Sequence, residues 1–131
     1  MARVFITGAN GMLGTDLCNF FKNKGYQIYC TDIKNLDVCD FDEVQKIVDQ
    51  IQPEYVIHLA ALTDVDKCER EPDKAFQINT IGTKNVSLAC QKTNALMIYV
   101  STISVFDGTK CEPYTEFDTP NPQNDCATVF L

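Results

Sequence analysis

The chain has 131 residues, 45% of them apolar, which is enough for one domain with a proper core and too few for two of ordinary size. Eighteen acidic residues against eleven basic ones give a formal net charge of −7. That balance excludes the basic footprint of a nucleic-acid binder and argues against docking on an anionic membrane. No apolar run approaches the roughly 18–20 residues that span a bilayer, and the apolar stretch after Met1 is too short for a signal peptide.

Residues 3–7, Arg-Val-Phe-Ile-Thr, are β-branched and aromatic and stop at Gly8, which reads as a short buried strand. Residues 12–24 carry Leu13, Leu17, Phe20 and Phe21 at helical spacing, with Gly25 as the stop. A second strand spans Tyr26–Thr31 and runs into Asp32. Asp40-Phe41-Asp42-Glu43 has the form of a capping box, with Asp40 as N-cap and Glu43 reaching back. Val44, Ile47, Val48 and Ile51 then mark one face of a helix that ends before Pro53. Tyr55–Leu59 reads as the next strand. A helix opened by Pro72 follows, with an interruption near Gly82, and Leu96–Val100 is a further strand.

Strands alternating with helices imply parallel pairing through right-handed crossovers, with helices on both faces of the sheet. The expected fold is α/β: a Rossmann-type doubly wound parallel sheet, truncated after about the fifth strand. Residues 1–106 would form the incomplete dinucleotide-binding domain. Residues 107–131, rich in Gly, Pro, Asn and Asp, read as a loop-like tail, with no C-terminal substrate domain. The seven cysteines are odd in number and contain no C-x-x-C pair. They read as reduced, mostly packed thiols of a cytoplasmic protein. With a single histidine no zinc ligand set is expected, nor any other metal site.

The strongest motif is Thr7-Gly8-Ala9-Asn10-Gly11-Met12-Leu13-Gly14, a G-x-x-G-x-x-G turn between the first strand and the first helix. Gly8 allows the tight turn, Gly11 lets backbone N–H groups approach a pyrophosphate, and Gly14 lets the helix pack closely on the sheet. Asp32, at the end of the second strand, stands where a carboxylate accepts from ribose hydroxyls, which favours NAD. Lys34 is near enough to meet a 2′-phosphate instead, so NADP stays open. The competing reading of this segment is a glycine-rich turn with an exposed aspartate beyond it. The run Asp64, Asp66, Lys67 and Glu69 reads equally well as a solvated charged loop.

Further motifs follow in order: Leu36-Asp37-Val38; Ala60-Ala61-Leu62-Thr63-Asp64-Val65-Asp66-Lys67-Cys68-Glu69; Ile78-Asn79; Ser101-Thr102; Val105-Phe106-Asp107-Gly108-Thr109-Lys110; and Pro113-Tyr114-Thr115-Glu116 with Asp118 and Pro120. Together they resemble the N-terminal half of the extended short-chain dehydrogenase/reductases, most closely the dTDP-4-dehydrorhamnose reductase family, over about residues 1–124. The resemblance implies an NAD(P)H-dependent reductase of a nucleotide-linked 4-keto-sugar, for which this chain is the cofactor half. It assigns the cofactor to Gly8, Asn10, Gly11, Met12, Leu13, Gly14, Asp32, Asp37, Val38, Ala60, Ala61 and Asn79. Asp37 and Val38 would flank the adenine, Ala60 and Ala61 would lie near the nicotinamide ribose, and Asn79 would support the site from below. Thr102 would be the catalytic hydroxyl, and Thr63, Val65 and Ser104 would meet the nucleotide-sugar substrate. The resemblance also admits a homodimer. His58 fits the H-x-A-A form of the group and is given no proton-transfer role.

The chain departs from that pattern in two places. Ile103-Ser104 stands where these reductases carry Asp-Tyr, and an apolar Ile accepts no hydrogen bond from a sugar. None of the five tyrosines (Tyr26, Tyr29, Tyr55, Tyr99, Tyr114) has a lysine four positions on, so the Y-x-x-x-K proton donor is missing. The 131-residue chain alone is therefore expected to be inactive. The alternatives are a non-catalytic dinucleotide-binding or regulatory module, or a truncated remnant.

Overall fold

The computed structural model describes residues 1–130. Its strands are β1 (Arg3–Thr7), β2 (Gln27–Thr31), β3 (Tyr55–His58) and β4 (Leu96–Tyr99), all parallel, in the order β2-β1-β3-β4. Helix α1 (Met12–Asn23) covers one face, where Val4, Ile6 and Ile57 meet Leu17 and Phe21. Helices α2 (Phe41–Ile51) and α5 (Thr83–Thr93) cover the other, where Phe5 and Val56 meet Val44, Val48 and Val86. The sheet is thus doubly wound, as the alternation of elements implies. It holds four strands where about five were expected. Leu36 and Val38 are buried but run as a turn, with Asp37 Oδ1 accepting from Cys39 N–H at 2.9 Å, so they add core without adding a strand.

The local signals resolve in physical terms. Asp40 caps α2 by accepting from Glu43 N–H at 3.1 Å. Glu43 does not reach back as a capping box requires, because the Asp40 N–H already donates to Asp37 O. Gln52 ends α2 in the left-handed conformation, ahead of Pro53. The interruption expected at Gly82 is a widening instead. The short helix α4 (Pro72–Ala75) runs through a π-helical segment, Phe76–Gly82, directly into α5. A Cβ on Gly82 would stand 2.7 Å from Val38 Cγ2, so the missing side chain lets the buried Val38 pack there.

Three further expectations change. The charged run 64–69 is a helix, α3 (Val65–Arg70), with Asp64 accepting from Lys67 N–H at 2.9 Å. The tail is not wholly loop: a 3-10 turn (Ile103–Val105) precedes it and a one-turn helix, α6 (Asp125–Thr128), lies near its end. Leu131, the last residue of that expected tail, lies outside the described residues. Cys18 on α1 and Cys30 on β2 form a disulfide, their Cα atoms 7.0 Å apart, where only reduced thiols were expected. The crossover from β1 through α1 lays the helix flank against β2 and brings two residues twelve apart together. Cys39, Cys68, Cys90, Cys111 and Cys126 are free thiols. Among the described residues, no helix is long and apolar enough to cross a membrane.

Candidate functional site

The chain emerges from β1 at Gly8 in the left-handed conformation, φ +66°. A Cβ there would stand 2.6 Å from Ala60 N and 2.7 Å from Leu59 C, so this turn lies directly against the segment leaving β3. Gly14 is buried on α1, and a Cβ on it would fall 2.7 Å from Ala9 Cα. The two glycines therefore let the turn wedge between α1 and the end of β3. Gly11, the N-cap of α1, provides no side-chain cap, and the first helical turn contains no acidic residue. Its N–H groups and the positive end of the helix dipole are open to an anion.

This turn forms one wall of a crevice of about 340 Å³ outside the carboxyl ends of β1, β2 and β3. It is where strand order reverses between β1 and β3, the location at which open α/β sheets bind ligands. Gly8, Asn10, Gly11, Asp32, Asp37, Val38, Ala60 and Ala61 come together around it. Thr31, Ile33, Leu36 and Ile78 also line it, unforeseen from the sequence. The Asp32 carboxylate is anchored on both oxygens. Oδ1 accepts from Lys34 N–H at 2.9 Å, and Oδ2 accepts from the Asn10 side-chain amide. Asn79 lies behind the crevice, fully buried. It clasps Leu62 twice, accepting from the N–H at 2.7 Å and donating to the carbonyl at 2.9 Å. Gly14 is likewise behind the wall. The Met12 side chain is 90% exposed and faces solvent from the first turn of α1, so only its backbone N–H points toward the anion position.

A second cavity, about 320 Å³, opens beside the crevice and shares Leu59, Ala60 and Ala61 with it. Thr63, Val65, Thr102 and Ser104 line it, as does the Leu13 side chain. Thr102 caps the 3-10 turn by accepting from Ser104 N–H at 3.2 Å, which leaves its hydroxyl proton free to donate. His58, Val100 and Ser101 line it too, as do Tyr99, Asn124, Cys126, Ala127 and Phe130. Sequence reasoning missed them; the Asn124 cap, accepting from Ala127 N–H at 2.7 Å, was the available signal for α6. Neither cavity is lined by a lysine or arginine, so an anion here is met by backbone N–H groups. No three His, Cys, Asp or Glu side chains gather as a metal cluster among the described residues.

Asp107 is a hub of the tail. Asp107 accepts from Thr109 N–H and Oγ1 (3.0 and 2.8 Å), Tyr114 Oη (3.0 Å) and Asn121 Nδ2 (3.0 Å), which holds it well below the usual carboxylate range. A second anchor is Asp118, which pairs with Lys110 at 2.8 Å. Asp107→Ala is expected to speed amide exchange at Thr109 and Asn121 while leaving the sheet amides protected. Unchanged exchange at both positions would show that the loop is held otherwise.

A family profile described as "RmlD substrate binding domain" matches residues 2–128. The chain belongs to that family. The resemblance carried by the separate motifs is thus borne out. Relatives include the spore coat polysaccharide biosynthesis protein SpsK of Bacillus subtilis, 37% identical over 94% of this chain and 44% of its own length. Methionine adenosyltransferase 2 subunit beta of Rattus norvegicus is 33% identical over 93% of this chain and 38% of its own. Among solved structures, dTDP-4-dehydrorhamnose reductase from Bacillus anthracis in complex with NADP is 43% identical, with a TM-score of 0.94. It is covered by this chain over 46% of its length, and this chain is covered over 98%. The chain spans less than half the length of these relatives.

Proposed function

We propose that this chain is the dinucleotide-binding part of an NAD(P)H-dependent reductase of a nucleotide-linked 4-keto-sugar of the dTDP-4-dehydrorhamnose type. The observation that carries the reading is the crevice itself. Gly8 and Gly11 leave no side chain between the open first turn of α1 and a ligand, and Asp32 is fixed at the far end. These residues fit a dinucleotide: the first-turn N–H groups would bind the pyrophosphate, and Asp32 would accept from the adenosine ribose. Asp37 and Val38 would flank the adenine, with Ala60 and Ala61 beside the nicotinamide ribose. Met12, Leu13 and Gly14 would serve through their first-turn N–H groups, Asn10 through its hold on Asp32, and Asn79 only from behind the wall. Asp32 favours a 2′-hydroxyl and hence NADH, while Lys34 keeps NADPH open. The reduced nicotinamide, when bound, supplies the hydride.

The second cavity would receive the sugar, with Thr102 donating to its carbonyl oxygen and Thr63, Val65 and Ser104 alongside. Residues 1–106 would act as the dinucleotide-binding unit, with residues 124–130 framing the second cavity. Since Y-x-x-x-K is missing, the 131-residue chain is expected to bind NADH without turning over a dTDP-4-keto-sugar. NADH fluorescence titration tests this: Asp32→Ala should weaken binding by about tenfold, the loss of a charge-assisted hydrogen bond. Absence of binding by the unsubstituted chain would end the proposal. Turnover above a Thr102→Ala control would overturn its non-catalytic part.

A second reading, a dinucleotide-binding module that regulates a partner, is favoured by the 33% identity to a protein named as a subunit of another enzyme. NADH binding together with a stoichiometric co-purifying enzyme would support it over the first.

A further inference from the structure

The two cavities share one wall, Leu59-Ala60-Ala61, and a buried chain of hydrogen bonds runs beside it, with His58 also lining the second cavity and Thr7 the crevice. His58, at the end of β3, is 1% exposed. Its Nδ1 lies 2.7 Å from Thr7 Oγ1 and its Nε2 lies 3.1 Å from Thr83 Oγ1. The direction of each bond follows from what the two threonines do elsewhere. Thr7 Oγ1 faces the N–H groups of Leu59 and Ala60 at 3.3 and 3.4 Å and accepts from both, so its single proton is left for His58 Nδ1. Thr83 Oγ1 donates to Asn79 O at 2.6 Å and has no proton to give, so it can only accept from His58 Nε2–H. Both ends independently require the same form of the ring, neutral with its proton on Nε2. An imidazolium, or the Nδ1–H tautomer, would aim a donor at a hydroxyl whose lone pairs already serve the wall.

We infer that His58, as the Nε2–H tautomer, is a positioning residue. Through Thr7 it fixes the Leu59–Ala60 backbone that forms the common wall, and through Thr83 it ties that wall to Asn79, which clasps Leu62. The chain thereby sets the spacing between the dinucleotide crevice and the second cavity. This role rests on the dinucleotide reading above; the proton order does not.

The test has two arms on the full 131-residue chain. His58 is its single histidine, so ¹⁵N-histidine labelling gives one pair of ring signals. At pH 7 the expected result is a pyridine-type Nδ1 and a pyrrole-type, protonated Nε2. The reverse pattern, or two pyrrole-type nitrogens, overturns the inference. The second arm is NADH titration. His58→Phe keeps a ring but removes both bonds and should weaken binding by about tenfold, whereas His58→Gln, able to accept at one end and donate at the other, should restore most of it. Equal affinity for the unsubstituted chain and His58→Phe overturns the positioning role. Should His58→Phe fail to fold, Thr83→Ala, which removes the Nε2 acceptor together with the bond to Asn79 O, takes its place with the same two outcomes. If the unsubstituted chain binds no NADH, the dinucleotide reading and the positioning role fall together, while the nitrogen signals still decide the proton order.

Discussion

Gly8→Ala should lower the folding stability by about 3 kcal/mol, through two effects that a second glycine separates. The first is conformational: at φ +66° an L-residue costs roughly 1–2 kcal/mol. The second is steric. The new Cβ would stand 2.6 Å from Ala60 N, 2.7 Å from Leu59 C and 2.8 Å from Leu59 O. These are backbone atoms at the end of β3, held by the Thr7 hydroxyl, and they cannot swing aside as a side-chain tip would. Forcing one extra carbon into a close-packed site typically costs about 1–3 kcal/mol. Gly25 has φ +79° and nothing within 4 Å of its would-be Cβ, so Gly25→Ala carries the first effect alone, about 1 kcal/mol. Urea midpoints of the two variants measure the difference. If Gly8→Ala is no less stable than Gly25→Ala, the β1 turn and the β3 segment are not in contact, and the common wall of the two cavities is misplaced.

Features that local physics decides could be read in advance. The glycine turn and Asp32 were legible because a β-branched strand, a glycine triplet and an amphipathic helix each leave a pattern in a few consecutive residues. Asp40 was legible as a cap for the same reason. The features that were missed are set by distant neighbours. Helix α3 is six residues long, too short to show a hydrophobic period, so its charges read equally well as loop. Gly82 looked like a break, yet its missing Cβ answers to Val38, more than forty positions earlier. The Cys18–Cys30 pairing depends on how α1 crosses β2, which no spacing rule encodes.

The candidate site divides along the same line. Gly8, Gly11, Asp32, Ala60 and Ala61 sit at strand ends, and the parallel order of the sheet is enough to bring them together. The resemblance assigned Met12 to the cofactor; its side chain lies on the outward side of the first helical turn, which leaves its backbone N–H as the group that can serve a ligand. Leu13 lies one residue further round and faces the second cavity instead. Cys126, Ala127 and Phe130 reach that cavity because the segment after Asp107 folds back. That return rests on a hub of side-chain hydrogen bonds with no periodic signature.

Stability should fall by about 3 kcal/mol as the pH drops from 6.5 to about 4, and His58 should account for most of the loss. Burial lowers its pKa from 6.5 to about 4, because the ring, 1% exposed at the end of β3, is kept from the water that would solvate the imidazolium. The unfolded chain therefore takes up a proton near pH 6.5 that the folded chain refuses until about pH 4. Above 6.5 neither state binds it and the full stability is present. Below 6.5 the unfolded state gains about 1.4 kcal/mol for each pH unit, until the folded ring protonates as well. Carboxylates contribute only lower down. Glu54, Asp107 and Asp118 have pKa values lowered by their hydrogen bonds, so their share is lost only as the pH falls below the ordinary carboxylate range near 4. The interval from pH 6.5 to about 5 thus belongs to the single histidine. Urea denaturation at closely spaced pH values reads the slope directly, and His58→Gln, which cannot take up the proton, should flatten it. A slope that survives in His58→Gln would place the titrating group elsewhere and would leave the ring solvent-accessible, contrary to its burial behind Thr7 and Thr83.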